Sequence, residues 1–221
     1  SPKNIALLLS CEHGGNRVPA RYQAYFAHAR QVLASHRGYD IGALSCARSL
    51  ARRSGSALIW STVTRLLVDL NRSVTHRGLF SEYVAELDRQ EKHKILEQYY
   101  HPYRNQVIGA VSKNASREIA SLHFSIHSFT PVFRGERRHA DIGLLFDPAR
   151  SWERDVCHAY AAKLGRQCNK TIIVRRNYPY RGTADGLTKM LRRQFKDNEY
   201  AGIELEINQK VFRGRNPDKP K

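Results

Sequence analysis

The sequence predicts a three-layer α/β/α domain with a mostly parallel, mixed central sheet. Three observations carry that prediction. Short apolar runs of strand length alternate with longer amphipathic stretches along the chain. The first run, Asn4 to Ser10, is apolar without alternation, as a strand buried on both faces should be. Polar groups of catalytic type stand at or just past the carboxyl ends of the expected strands, where ligands bind in such sheets.

In chain order, Asn4 to Ser10 reads as a strand. Arg21 to Ala34 and Ile41 to Arg53 read as helices, the second with Ile41, Leu44, Ala47 and Leu50 on one face. Ala57 to Thr62 and Leu66 to Leu70 read as strands. Glu82 to about Lys113 is expected to be mostly helical, broken or kinked by Pro102. Ile119 to Ser128 and Ile142 to Phe146 are strands and Glu153 to Leu164 a helix. Thr171 to Val174 is a strand, and Asn177 to Gly186, with Pro179, Gly182 and Gly186, a loop. Thr188 to Phe195 is a short basic helix and Ala201 to Ile207 a last strand. No repeat or linker divides the chain, so one domain is expected over 1–212, followed by a polar, basic tail over 213–221.

Composition narrows the function classes. At 221 residues, 41% hydrophobic and 26% charged, the chain is of ordinary globular make-up. No apolar run approaches the roughly 20 residues of a membrane helix, and the first run leads into a polar motif rather than a cleavage site. The cysteines, Cys11, Cys46, Cys157 and Cys168, form no CxxC pair. Reduced thiols in a cytoplasmic protein are expected. The net charge of +17 invites a polyanion partner. The basic pairs are scattered, however, and no nucleic-acid-binding motif is present, so no specific nucleic acid is expected.

The residues that suggest chemistry are separated in sequence. His13 follows the first strand within Cys11-Glu-His-Gly-Gly-Asn16, where glycines allow close backbone approach. Asp40 stands in Gly38-Tyr-Asp-Ile-Gly42, and His127 ends a strand before Ser128-Phe-Thr-Pro131. Glu204 and Glu206 share one face of the last strand. Two histidines and a carboxylate make a catalytic zinc set, and a further carboxylate serves as general base. Together they suggest metal-assisted hydrolysis. Each residue also has a plainer reading. His13 is then a solvent-facing turn residue, His127 a core histidine bonded to backbone, and Asp40 the N-cap of the helix from Ile41. Glu204 and Glu206 then lie on a wet edge. Arg65 and Arg72 suit a two-point grip on a carboxylate, or else an ordinary salt bridge with Asp69. His36, His101, His123 and His139 are spares. His123 shares a face with His127 but sits about 13 Å away along the strand, too far for one metal. Cys11 as a nucleophile beside His13 lacks any sign of an activated thiol.

Several of these segments occur together in order: Ser10-Cys-Glu-His-Gly-Gly-Asn16, Gly38-Tyr-Asp-Ile-Gly-Ala43, Arg65-Leu-Leu-Val-Asp-Leu-Asn-Arg72, His101-Pro-Tyr103, His127-Ser-Phe129, Asn177-Tyr-Pro-Tyr180 and Glu204-Leu-Glu206. The set resembles the N-formylglutamate amidohydrolase family over nearly the whole chain. The resemblance implies a phosphorylase/hydrolase-like, zinc-carboxypeptidase-like fold. It implies one zinc ion per chain on His13 and His127, with other divalent metals possible. It implies Asn71 and Arg72 as the grip on the substrate carboxylate and Glu206, in Glu206-Ile-Asn-Gln209, as the base in preference to Glu204. The carboxypeptidases take a glutamate three residues after the first histidine, and Asn16 stands there instead. The second ligand is therefore assigned to Asp40, with Glu12 in reserve. Arg65 joins the metal in steadying the oxyanion. The expected substrate is a small, acidic N-acyl amino acid such as N-formylglutamate. Peptidoglycan or a peptide is the alternative, and a non-catalytic basic protein that binds polyanions is the rival from another class.

Overall fold

The computed structural model describes residue 2, residues 4–167 and residues 172–212. Its strands are β1 (Ile5–Cys11), β2 (Ala57–Trp60), β3 (Ala120–Phe129), β4 (Val132–Phe133), β5 (Glu136–Arg137), β6 (Ile142–Leu145), β7 (Val174–Arg176) and β8 (Tyr200–Asn208). Among the described residues the main sheet has the order β2-β1-β3-β8-β6-β7. β2, β1, β3 and β8 run parallel, β6 is antiparallel to β8, and β7 is parallel to β6. The helices are α1 (Arg30–Leu33), α2 (Ala43–Ser54), α3 (Arg89–Ile95), α4 (His101–Ala115), α5 (Ser151–Gln167) and α6 (Leu187–Gln194).

Strand alternation divides the core in two. Leu8 and Tyr200 turn to one face, with Val107 and Val111 of α4 and Leu187 and Leu191 of α6. Leu9, Cys11, Ile126 and Leu205 turn to the other, with Ala43 and Ala47 of α2 and Cys157 of α5. The apolar residues Leu7, Leu8 and Leu9 of β1 are thus explained by packing on both sides of the sheet, while Ile5 at its start is exposed. Each leucine so buried contributes about 2 kcal/mol. The expected α/β layering with a mostly parallel mixed sheet is the observed one.

Several elements differ from expectation. Leu66 to Leu70 is not a strand but a buried run of turns, with Leu66, Leu67, Val68 and Leu70 all in the core. A short apolar run is compatible with either, because periodicity cannot resolve so few residues. Asn71 and Arg72 therefore lie in a loop and not beyond a strand end. Arg21 to Ala34 is not one helix. A 3-10 segment, Ala20–Phe26, buries Tyr22 and Phe26, and α1 follows as a single turn. Neither piece has a side-chain cap, and the apolar stripe lapses at Ala27 and His28. Glu82 to Lys113 resolves into a 3-10 turn, Glu82–Val84, then α3, a π-helical turn Leu96–Tyr100, and α4. Pro102 falls in the first turn of α4, where its missing N–H matters least, and the wider turn precedes it.

Asp40 does not cap α2. The N-cap position is Gly42, in the left-handed region at φ 81°, and no side chain bonds the free amides. A hairpin, β4 with β5, was not legible in the sequence. Its two turn residues, Arg134 and Gly135, both have positive φ, which matches the right-handed twist of the strands. Cys11, Cys46 and Cys157 are free thiols. Cys168, Thr171 and the tail over 213–221 lie outside the described residues. Among the described residues, no helix is long and apolar enough to cross a membrane.

Candidate metal centre

The face of the sheet that carries Leu8 and Tyr200 changes character toward the strand ends. Ser10 of β1, then His123, Ser125 and His127 of β3, then Glu204 and Glu206 of β8, replace the apolar residues. Register makes them neighbours: Ser10 pairs with Ser125, Ser125 with Glu204, and His127 with Glu206. Gly143 of β6 is the partner of Glu206 on its other side. A Cβ there would stand 1.9 Å from the Tyr178 carbonyl oxygen, so only glycine fits.

Two turns bring the remaining groups over this stripe. His13 leaves β1 in a turn held by the Gly14 and Arg17 amides, which donate to the carbonyls of Ser61 and Thr62. The glycines are required by proximity: a Cβ on Gly14 would lie 2.7 Å from Ser61 O. The Asp40 amide donates to the His13 carbonyl at 2.9 Å, which ties the two loops together.

The outcome is a triad. The ligand atoms of His13, Asp40 and His127 all lie within 4.8 Å of one another, and all three residues are buried. His127 Nδ1 stands 2.7 Å from Asp40 Oδ2, and His13 Nδ1 stands 3.5 Å from the same oxygen. The far nitrogen of each ring is held by another carboxylate. His13 Nε2 meets Asp69 Oδ1 at 2.7 Å, and His127 Nε2 meets Glu12 Oε2 at 3.1 Å. Ser125 also contacts His127 Nε2 at 2.8 Å. A carboxylate behind each histidine fixes the ring and would strengthen it as a metal donor.

Glu12 lies outside this cluster of candidate ligand atoms and stands behind His127. Ser10, Ser125 and Tyr103 all donate to its carboxylate. Asp69 does the same behind His13, while its other oxygen takes Arg65 Nη2 at 2.7 Å. Arg65 also approaches Asp40 at 3.4 Å. The plain salt bridge expected for Arg65 is thus real, and it lies against the triad. Sequence reasoning missed these support roles. The signal was a buried-type carboxylate inside or directly after an apolar run, which needs a partner.

Charge follows from burial and pairing. Burial opposes the charged form of Asp40, but His13 and His127 outweigh it and hold the carboxyl well below its usual range. Burial likewise opposes charge on Glu12, and His127 with the two serines outweighs that. Burial also opposes charge on His127. Its contacts with Asp40 and Glu12 are stronger and raise its pKa well above normal. Burial and Arg65 lower His13, while Asp69 and Asp40 raise it by more. Glu206 differs: burial, reinforced by Asp40 and Glu204 and opposed by His127 and Arg65, pushes its carboxyl up to about 8.

The donor set suits a divalent cation. Among the described residues, His13 Nδ1 and Glu206 Oε2 are buried without a hydrogen-bond partner. Two imidazoles with a carboxylate are a zinc-type set, and buried carboxylates in this number call for positive charge among them. The three residues would hold the ion, with Glu206 beside it. Cys11, in contrast, is buried, and its thiol pKa is raised well above normal by burial first and then by Glu12 and Asp40, which is the reverse of an activated nucleophile.

The triad opens on a pocket of about 220 Å³. Glu206, Glu204, Arg65, Asn71 and Arg72 all line it, so every site residue expected from the sequence reaches one cavity. Asn71 has a structural duty as well: its Oδ1 accepts from the Leu187 amide at the start of α6. Arg72 Nη1 donates to the Asp185 carbonyl at 3.2 Å. Glu204 accepts from Thr188 Oγ1 at 2.9 Å. His36, Arg138 and Tyr180 also line the pocket and were not expected there. His123 stands apart, bonded to Ser10 and Tyr200.

Comparison with known proteins identifies the family and the fold. The family model for N-formylglutamate amidohydrolase matches residues 5–213. The crystal structure of gene product Atu2144 from Agrobacterium tumefaciens is similar with a TM-score of 0.81 at 28% identity, covering 98% of this chain and 85% of that one. The crystal structure of N-formylglutamate amidohydrolase from Ralstonia eutropha JMP134 is similar in fold, with a TM-score of 0.64 at 20% identity, covering 95% and 84%. No curated protein matches significantly. With its fold, its His/Asp/His triad and a family match over nearly its whole length, the chain belongs to the N-formylglutamate amidohydrolase family, hydrolases that act on carbon–nitrogen bonds.

Proposed function

We propose that this chain cleaves the amide bond of a small, acidic N-acyl amino acid such as N-formylglutamate, using one zinc ion held by His13, Asp40 and His127. The observation that carries the reading is the convergence of two histidines and Asp40 beside Glu206, whose Oε2 is buried and, among the described residues, unpartnered. Manganese, cobalt or iron would suit the same donors. When bound, such an ion activates water and polarises the amide carbonyl.

The chain's own residues supply the rest. Glu206 Oε2 takes a proton from the attacking water and delivers it to the leaving amine. Its raised pKa makes it a competent base, and a neighbouring cation would draw that value down. Arg65, fixed between Asp40 and Asp69, presents positive charge where the carbonyl oxygen becomes negative. Arg72 and Asn71 Nδ2 take the substrate carboxylate. A cavity of about 220 Å³ suits a small substrate.

The test is release of free amino acid from a panel of N-acyl amino acids. Acidic members should be turned over, activity should be lost to a chelator, and zinc should restore it. Zinc-loaded protein that releases nothing from the panel would overturn the substrate. Activity indifferent to chelation would overturn the metal assignment.

A further inference from the structure

The pocket wall contains a guanidinium whose charge the site leaves unneutralised. Arg138 follows the β4–β5 hairpin and is half-buried, whereas Arg134 and Arg137 beside it are exposed. Its guanidinium carbon lies 4.6 Å from the ring centroid of Phe133, 5.2 Å from that of Tyr180 and 5.7 Å from that of Phe129. The three rings come from separate segments: the hairpin, the loop before α6 and the end of β3, two residues after His127. Among the described residues this guanidinium has no carboxylate and no hydrogen-bond acceptor.

Two of its neighbours in the pocket are paired at least in part, while a third, Arg181, is exposed and, among the described residues, lacks the ring contacts that fix Arg138. Arg65 is taken up by Asp40 and Asp69, whereas Arg72 is only partly engaged: its Nη1 donates to the Asp185 carbonyl and its Nε lies 4.0 Å from Asp69, and among the described residues no acceptor meets its Nη2. Rings hold a guanidinium by its faces and leave its N–H donors free in the plane. The side chain is also immobilised in advance, so a ligand that meets it loses less conformational entropy on binding. The charge is felt in the cavity: the pKa of His36, on the same wall, is lowered by burial first and by Arg138 next.

On the reading that the site takes an N-acyl amino acid, we propose that Arg138 is its specificity-determining residue, pairing in two-point fashion with a second carboxylate on the substrate while Arg72 holds the first. The enzyme is then selective for dicarboxylic N-acyl amino acids over their monoamides. A plainer role, pinning the hairpin to Phe129 and Tyr180, would affect all substrates alike.

The experiment compares N-formylglutamate with N-formylglutamine, which differ only in that second carboxylate, in the zinc-loaded wild type and in Arg138→Met, which keeps the apolar stem. The wild type should prefer the glutamate compound. Arg138→Met should lose at least about tenfold in kcat/KM on it, mainly through KM, and stay within about twofold on the glutamine compound. Arg138→Lys should restore part of the preference. Equal losses on both substrates, or no preference in the wild type, would overturn the assignment. If the wild type hydrolyses neither compound, the amidase reading fails separately. Calorimetry with glutarate and its monoamide then decides the role of Arg138. Tighter glutarate binding that disappears in Arg138→Met supports it, and equal binding of the two ligands overturns it.

Discussion

His13 and His127 stand with their ring centroids 5.2 Å apart, and both turn Nδ1 toward one oxygen of Asp40. One histidine is in a turn after β1 and the other is in β3, so this convergence is made by the parallel pairing of two strands. Among the described residues it leaves His13 Nδ1 buried without a hydrogen bond, a condition that a bound cation would relieve.

The triad should determine metal content. Elemental analysis of the purified wild type, supplied with zinc, should give close to one ion per chain. The double substitution His13→Ala with His127→Ala should abolish it, and Asp40→Asn should weaken it, with the circular dichroism of the sheet and helices retained. Full zinc occupancy in the double variant would place the ion elsewhere.

The carboxylate behind His127 should tune affinity without being a ligand. Glu12→Gln keeps the shape and part of the hydrogen bonding to Ser10, Ser125 and Tyr103 but removes the charge. Zinc affinity, measured by competition with a chromophoric chelator, should drop by roughly 10- to 100-fold. An unchanged affinity would reduce Glu12 to a packing role.

The two glutamates of β8 should separate kinetically. Glu206→Gln should lower kcat by about 100-fold or more while zinc content stays the same. Glu204→Gln should have a much smaller effect, because Glu204 is bonded to Thr188 of α6. The reverse order of the two effects would move the base to Glu204.

His123 should make stability depend on pH. Burial lowers its pKa to about 4, and it is bonded through both nitrogens to Tyr200 and Ser10. The ordinary value is about 6.5. Between these two values the unfolded chain binds a proton that the folded chain refuses. Its contribution is thus complete above about pH 6.5 and is lost as pH falls toward 4, by up to roughly 3 kcal/mol. Raised pKa values at His13 and His127 act in the opposite sense, so the comparison must be differential. Urea unfolding of wild type and His123→Gln should show a deficit for the variant that is largest near pH 7 and shrinks toward pH 4. A deficit independent of pH would mean that folding leaves the proton affinity of His123 unchanged.

Much of the site was legible because its residues break local rules. A histidine after a buried strand, a histidine ending another, and two carboxylates on one face of a third are costly without a purpose. The strands around them were legible from apolar runs. Leu66 to Leu70 misled because buried turns and buried strands have the same short apolar signature. The hairpin carrying Arg138 was not legible, since two-residue strands with exposed side chains leave no periodicity.

The sequence by itself determined the layered α/β architecture and singled out His13, Asp40, His127 and the Glu204–Glu206 pair as candidates, because strand periodicity and the cost of burying polar groups act locally. Only the tertiary structure decided what each of those groups does for the others. It turned Asp40 away from α2 and onto His127, placed Glu12 and Asp69 behind the two histidines, and set three rings around Arg138. Those relationships depend on strand register and on loops that meet across the sheet, and contacts between segments so distant in sequence are written in no single stretch of it.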